Sequence, residues 1–123
     1  MRKKKVAIIE DDRNVLNLLK VILKDEGYEV YGAPTGIEIV NQLVNEKPDL
    51  IILDLMLPLL PGEKVIDTFQ QKDVITGVPV IVISGKEEKE IKESAKEIGA
   101  VAYIKKPVDR EKLIELVKKY IER

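Results

Sequence analysis

The chain has 123 residues, enough for one domain that buries its own core without disulfides or a structural metal. Its 45% hydrophobic and 35% charged residues, at a net charge of -1, speak against disorder and against bulk attraction to nucleic acid or an acidic membrane. Cysteine and histidine are both absent, which excludes disulfides, thiolate zinc sites and imidazole catalysis, so any chemistry must run on carboxylates, hydroxyls and lysines.

The basic start, Arg2 to Lys5, reads as a solvated lead-in to a strand. Val6-Ala7-Ile8-Ile9 is a short continuous apolar run, as expected of a strand buried on both faces. It leads straight into acids, unlike the core of an export signal, and no apolar stretch is long enough to span a membrane, so a cytoplasmic protein is expected. Asp12 is placed to cap a first helix whose apolar stripe is Val15, Leu16, Leu18, Leu19, Ile22 and Leu23, and Gly27 stands where its end wants a left-handed residue. Tyr28–Tyr31 predicts a second strand. Pro34-Thr35-Gly36 is turn material before a helix with Ile37, Val40, Leu43 and Val44 inward.

Pro48-Asp49 breaks that helix, and Leu50-Ile51-Ile52-Leu53 predicts a third strand ending on Asp54. Leu55–Gly62 is a loop held by Pro58, Pro61 and Gly62, followed by a third helix from about Glu63 to Gln71. Pro79–Ile83 predicts a fourth strand ending on Ser84, and Glu87–Ile98 a charged fourth helix stopped by Gly99. Ala100–Ile104 predicts the fifth strand, ending at Lys105-Lys106-Pro107. Asp109 caps a fifth helix with Leu113, Leu116, Val117, Tyr120 and Ile121 inward. Five strands alternating with five helices require parallel pairing and right-handed crossovers, hence a doubly wound, three-layer α/β domain occupying residues 1–123 as one unit.

Ligands of parallel α/β sheets bind beyond the carboxyl ends of the strands. There this sequence puts Glu10-Asp11-Asp12 after strand one, Asp54 after strand three, Ser84 after strand four and Lys106 after strand five. Clustered carboxylates repel one another, and a divalent cation removes the conflict. An all-oxygen donor set points to Mg²⁺, Mn²⁺ or Ca²⁺. An acidic nucleophile, a metal, a hydroxyl and a lysine are the parts of phosphoryl transfer to a carboxylate. Taken singly, each has a plainer reading: Asp12 as a helix cap only, Ser84 as a cap for the next helix, Lys106 as a solvated loop lysine, Tyr103 as strand filling.

Four stretches together carry a resemblance: Val6 through Asp12; Asp49 through Pro58 with Pro61-Gly62; Val80 through Gly85; and Gly99-Ala100 through Tyr103-Ile104-Lys105-Lys106-Pro107. From about Lys4 to Ile121 the chain resembles a response-regulator receiver domain, the CheY-like phosphoacceptor module of two-component signalling. The resemblance implies a flavodoxin-like strand order 2-1-3-4-5. It implies phosphorylation of Asp54 by a histidine kinase or phosphotransfer protein, and Mg²⁺ held directly by Asp11, Asp54 and the Met56 main-chain carbonyl and through water by Glu10. It further implies Ser84 and Lys106 as phosphoryl-binding groups, Tyr103 as an aromatic switch and a cis Lys106-Pro107 bond. The protein would be a switch rather than an enzyme, at most slowly dephosphorylating itself. It would signal to a partner protein through the face of helix four, strand five and helix five, with no direct contact to nucleic acid or membrane. Three positions depart from the commonest pattern: Gly85 replaces an alanine, Pro61 an aspartate, and Lys86 occupies a variable place that tunes phosphoryl lifetime.

Three competing readings fare worse. A haloacid-dehalogenase-type phosphatase needs a second aspartate two residues past the nucleophile, where this chain has Met56. A flavin or nucleotide binder wants a Gly/Ser/Thr-rich loop after strand one, where this chain has acids. A degenerate receiver serving only for docking would lack some of the chemical parts, and all are present.

Overall fold

The computed structural model describes residues 2–33, 47–56 and 77–122. The turn at Pro34-Thr35-Gly36, the helix after it, the loop with Pro58, Pro61 and Gly62 and the helix from Glu63 lie outside them. Among the described residues the order is β1 (Lys5–Ile9), α1 (Arg13–Asp25), β2 (Glu29–Ala33), β3 (Leu50–Asp54), β4 (Val80–Ser84), α2 (Glu88–Ile98), β5 (Ala102–Lys105) and α3 (Arg110–Ile121). The helices α2 and α3 correspond to the fourth and fifth of the sequence reading.

The five strands form one sheet in the order β2-β1-β3-β4-β5, and every pairing is parallel. Side-chain alternation divides the core. Ala7, Ile9, Ile51, Leu53, Val80 and Val82 face the side that α2 covers with Ile91 and Ala95. Val6, Ile8, Leu50, Ile52, Ile81 and Ile83 face the other side, covered by Leu16, Leu19 and Leu23 of α1 and Leu113, Val117 and Ile121 of α3. The strands β1, β3 and β4 therefore lie buried on both faces, which is why they read as unbroken apolar runs. Each fully buried isoleucine or leucine among them contributes about 1.5–3 kcal/mol.

The caps fall where the sequence places them. Asp12 Oδ1 accepts from the Asn14 and Val15 amides at 2.9 and 3.2 Å and starts α1. Gly27 (φ 93°) and Gly99 (φ 74°) turn the chain out of α1 and α2. Asp109 Oδ1 accepts from the Glu111 amide at 3.1 Å at the start of α3.

Several details differ from the sequence reading. The second strand starts one residue later and ends two later, because pairing Lys5↔Glu29 through Ile9↔Ala33 sets its register. The fifth strand likewise starts at Ala102 and ends at Lys105. Leu18, expected in the stripe of α1, points outward with 51% of its surface exposed; Leu16, Leu19, Ile22 and Leu23 already fill the 3.6-residue face.

Candidate functional site

The strand order reverses between β1 and β3: the chain leaves β1 for β2 on one side and returns to β3 on the other. Since Ile9 pairs with Leu53, the residues that follow, Glu10 and Asp54, emerge side by side at the crevice this reversal opens. Leu53 pairs with Val82, and Ser84 with Lys105, so Ser84 and Lys106 emerge at the same edge.

Glu10, Asp54 and Ser84 are the buried polar residues among the described core, at 0%, 1% and 0% exposure. Three ionisable groups meet there. Lys106 Nζ donates to Glu10 Oε1 at 2.8 Å and to Asp54 Oδ2 at 3.2 Å. Asp54 Oδ1 accepts from the Met56 amide at 2.9 Å, and Glu10 Oε1 from the Asp12 amide at 3.3 Å. The exposed Asp11 completes a triangle in which one carboxylate oxygen from each of Glu10, Asp11 and Asp54 lies within 4.8 Å of the others.

One lysine cannot neutralise this set. Burial, and then the neighbouring Asp54 carboxylate, push Glu10 from 4.5 up to about 8, against the opposing pull of Lys106. Asp54 is driven upward by burial too. The hydrogen bond to Glu10, the Met56 amide and Lys106 outweigh that and leave it below its ordinary value. Burial pulls Lys106 down, and its bonds to Glu10 and Asp54 carry it above its ordinary value. These opposite shifts favour the proton on Glu10 and the charge on Asp54. Glu10 Oε2 is buried and accepts no hydrogen bond, so it is the atom that a proton or a cation would satisfy.

Parallel topology, acids at the reversal point and a lysine across two of them delimit the relatives to expect. The response regulator receiver domain family matches residues 6–118. The chain belongs to this family. It is 28% identical over 121 residues, 98% of its length and 96% of the relative's, to sporulation initiation phosphotransferase F of Bacillus subtilis. A CheY-like receiver domain from Methanospirillum hungatei superposes with a TM-score of 0.88 at 31% identity, over 98% of this chain and 95% of that one. For a response regulator from Chloroflexus aurantiacus the figures are 0.91 and 28%, over 99% of this chain and 100% of that one. This receiver is thus a phosphoacceptor switch of two-component signalling.

Of the expected site residues, Glu10, Asp11, Asp54 and Lys106 converge within the receiver's crevice. Met56 sits at the rim, 53% exposed. Ser84 is turned locally: its Oγ accepts from the Lys86 amide at 3.1 Å, while its carbonyl accepts from the Lys106 amide at 2.8 Å. It does not cap α2, whose N-cap, Glu87, makes no side-chain capping bond. Tyr103 lies away from the acids, its ring packed against the α2 side of the core and its hydroxyl donating to Glu88 Oε1 at 2.8 Å. The Lys106-Pro107 peptide is cis.

Sequence reasoning missed two participants in this neighbourhood. Glu88 receives the Tyr103 hydroxyl, and Lys105 Nζ donates to the Lys86 carbonyl at 3.1 Å. One acid among several in a charged helix and the first of two adjacent lysines carry no signal that would have singled them out.

Proposed function

We propose that Asp54 is the phosphoacceptor of this receiver and that the observation carrying it is the bridge from Lys106 Nζ to both Glu10 and Asp54. An ionised, nearly inaccessible carboxylate at the end of a rigid strand, backed by an ammonium, is a nucleophile held in place before its donor arrives. The donor is a phosphohistidine on a kinase or phosphotransfer protein. An Asp54 oxygen attacks phosphorus, the P–N bond breaks as the O–P bond forms, and the imidazole leaves and takes up a proton. Lys106 then faces a dianion instead of a monoanion, and Ser84 supplies a hydroxyl to a phosphoryl oxygen.

The donor set fits a small divalent cation. Three oxygens of hard carboxylates converge, and the buried Glu10 Oε2 lacks a partner. Glu10, Asp11, Asp54 and the Met56 carbonyl would hold Mg²⁺, which when bound offsets negative charge on the incoming phosphoryl oxygens. With such a cation bound, Glu10 would be held in its ionised form.

The single domain acts by changing shape. The face formed by α2, β5 and α3 is the surface offered to a downstream protein, with Tyr103 as the element that moves. Among the described residues no helix is long and apolar enough to cross a membrane, and a cytoplasmic partner suits this reading. Nothing favours the phosphatase alternative, since Met56 supplies no acid where that chemistry needs one.

Incubation with acetyl phosphate and Mg²⁺ tests the assignment. The intact mass should rise by one phosphoryl group in the wild type and stay unchanged in Asp54→Asn. Labelling that survives in the variant would move the acceptor elsewhere, and steady release of many equivalents of phosphate would indicate an enzyme.

A further inference from the structure

The segment that joins β4 to α2 is held from outside itself. Its first residue, Ser84, is fixed by the sheet, but the start of α2 has no side-chain cap of its own. At Gly85 the backbone is neither crowded nor in the left-handed region. What restrains the segment are two side chains of β5 at alternate positions, hence on one face of the strand. The Tyr103 hydroxyl donates to Glu88 Oε1 at 2.8 Å, and Lys105 Nζ donates to the Lys86 carbonyl at 3.1 Å. Lys86 is also the residue whose amide occupies the Ser84 hydroxyl.

We propose that Glu88 and Lys105 are positioning residues that latch the 84–88 segment to β5 and thereby hold the Ser84 hydroxyl on the Lys86 amide, away from the acidic crevice. This rests on the reading of Ser84 as a phosphoryl-binding group. For Ser84 to turn toward a phosphoryl oxygen, its hydroxyl must leave the Lys86 amide, and Lys105 keeps that amide in place by gripping the carbonyl of the same residue. Glu88, two residues further on, holds the Tyr103 hydroxyl and keeps the first turn of α2 against β5. The latch therefore opposes the phosphorylated conformation and sets how readily a phosphoryl group brings it about.

Each grip is one exposed hydrogen bond, so releasing either should change the equilibrium about threefold. Two measurements test this. The first is amide hydrogen exchange at Lys86 in the unphosphorylated chain. It should speed up about threefold in Lys105→Met and in Glu88→Ala, return to the wild-type rate in Lys105→Arg, and stay unchanged in Glu90→Ala, which removes an equivalent charge from the same helix turn. The second is titration with beryllium fluoride and Mg²⁺, read by NMR of the Tyr103 ring. The midpoint should fall about threefold in Lys105→Met and Glu88→Ala, and Lys105→Arg should restore it. Unchanged exchange at Lys86, or a midpoint that stays put or rises, overturns the latch. Failure of the wild type to bind beryllium fluoride at all would strike at the site assignment instead, and the exchange measurement would still decide the latch.

Discussion

Replacing Glu10 with glutamine isolates the charge conflict in the crevice. The folded chain keeps a proton on Glu10 up to about 8, whereas the unfolded chain releases it near 4.5. Between those values the native state binds more protons than the unfolded state, so stability is fully present below the window and declines as pH rises through it. Asp54 has the opposite sign: its lowered value adds stability above the ordinary carboxylate range that is lost on acidification. For Glu10 the shift sets a ceiling of about 5 kcal/mol at roughly 1.4 kcal/mol per pH unit. Asp54 and Lys106 readjust around the same proton, and the expected loss between pH 5 and pH 9 is about 2 kcal/mol. That is a fall in Tm of roughly 6–10 °C for a domain of this size.

The assay is thermal denaturation followed by circular dichroism from pH 5 to pH 9, in EDTA and again in excess Mg²⁺. Glu10→Gln keeps the shape of the protonated side chain and cannot ionise. In EDTA the variant should lose less than about a third of what the wild type loses across this range. With Mg²⁺ the wild type should regain its stability, more at pH 9 than at pH 6, since the cation binds the ionised form of Glu10. The variant should gain little. A wild-type profile in EDTA that is flat and superimposes on the variant's would refute the protonated Glu10.

Lys106→Met leaves Glu10 and Asp54 facing each other without their cation; stability in EDTA should fall by on the order of 2 kcal/mol, and Mg²⁺ should recover most of it in the same melts. Gly32→Ala should cost about 2 kcal/mol by urea titration, because its Cβ would stand 2.8 Å from Leu16 Cδ1 and 3.0 Å from the immovable Ile8 carbonyl. Combining it with Leu16→Val should cost less than the sum of the two. Gly99→Ala, at φ 74°, should lose about 1 kcal/mol, whereas Gly85→Ala, which meets no atom within 4 Å, should stay within about 0.5 kcal/mol of wild type.

Much of this molecule can be read from periodicity and punctuation. Runs such as Leu50–Leu53 announce strands covered on both faces, and Asp12, Gly27, Gly99 and Asp109 mark helix ends through local geometry alone. The site was legible because strand ends of a parallel sheet share an edge, so residues distant in the chain become neighbours by topology. What depends on distances was not legible. Leu18 and Val21 flank the stripe of α1 and are as apolar as the residues inside it, yet both face solvent. Gly32 follows no turn pattern, and only the approach of Leu16 and Lys20 explains it. The upward shift of Glu10 follows from its burial beside Asp54, and the grips on Lys86 and Tyr103 come from surface residues in a chain where charge is common.

Under the proposed role of Asp54, the same facts suggest where its phosphoryl group should act. Its immediate supports, β1, β3 and β4, are buried on both faces, so close packing should make the sheet the part that moves least. The crevice's softest boundary among the described residues is the 84–88 segment, whose helix start is uncapped and whose ties to β5 are two exposed hydrogen bonds. If Asp54 is the acceptor, charge placed on it should therefore displace that segment and the α2–β5 surface behind it. Hydrogen exchange with and without acetyl phosphate should change at 84–88 and in the first turn of α2, and remain constant at Ala7, Ile9, Ile52 and Leu53. Comparable changes across β1 and β3 would mean that the sheet itself relays the signal, and the segment would lose its role as the moving part.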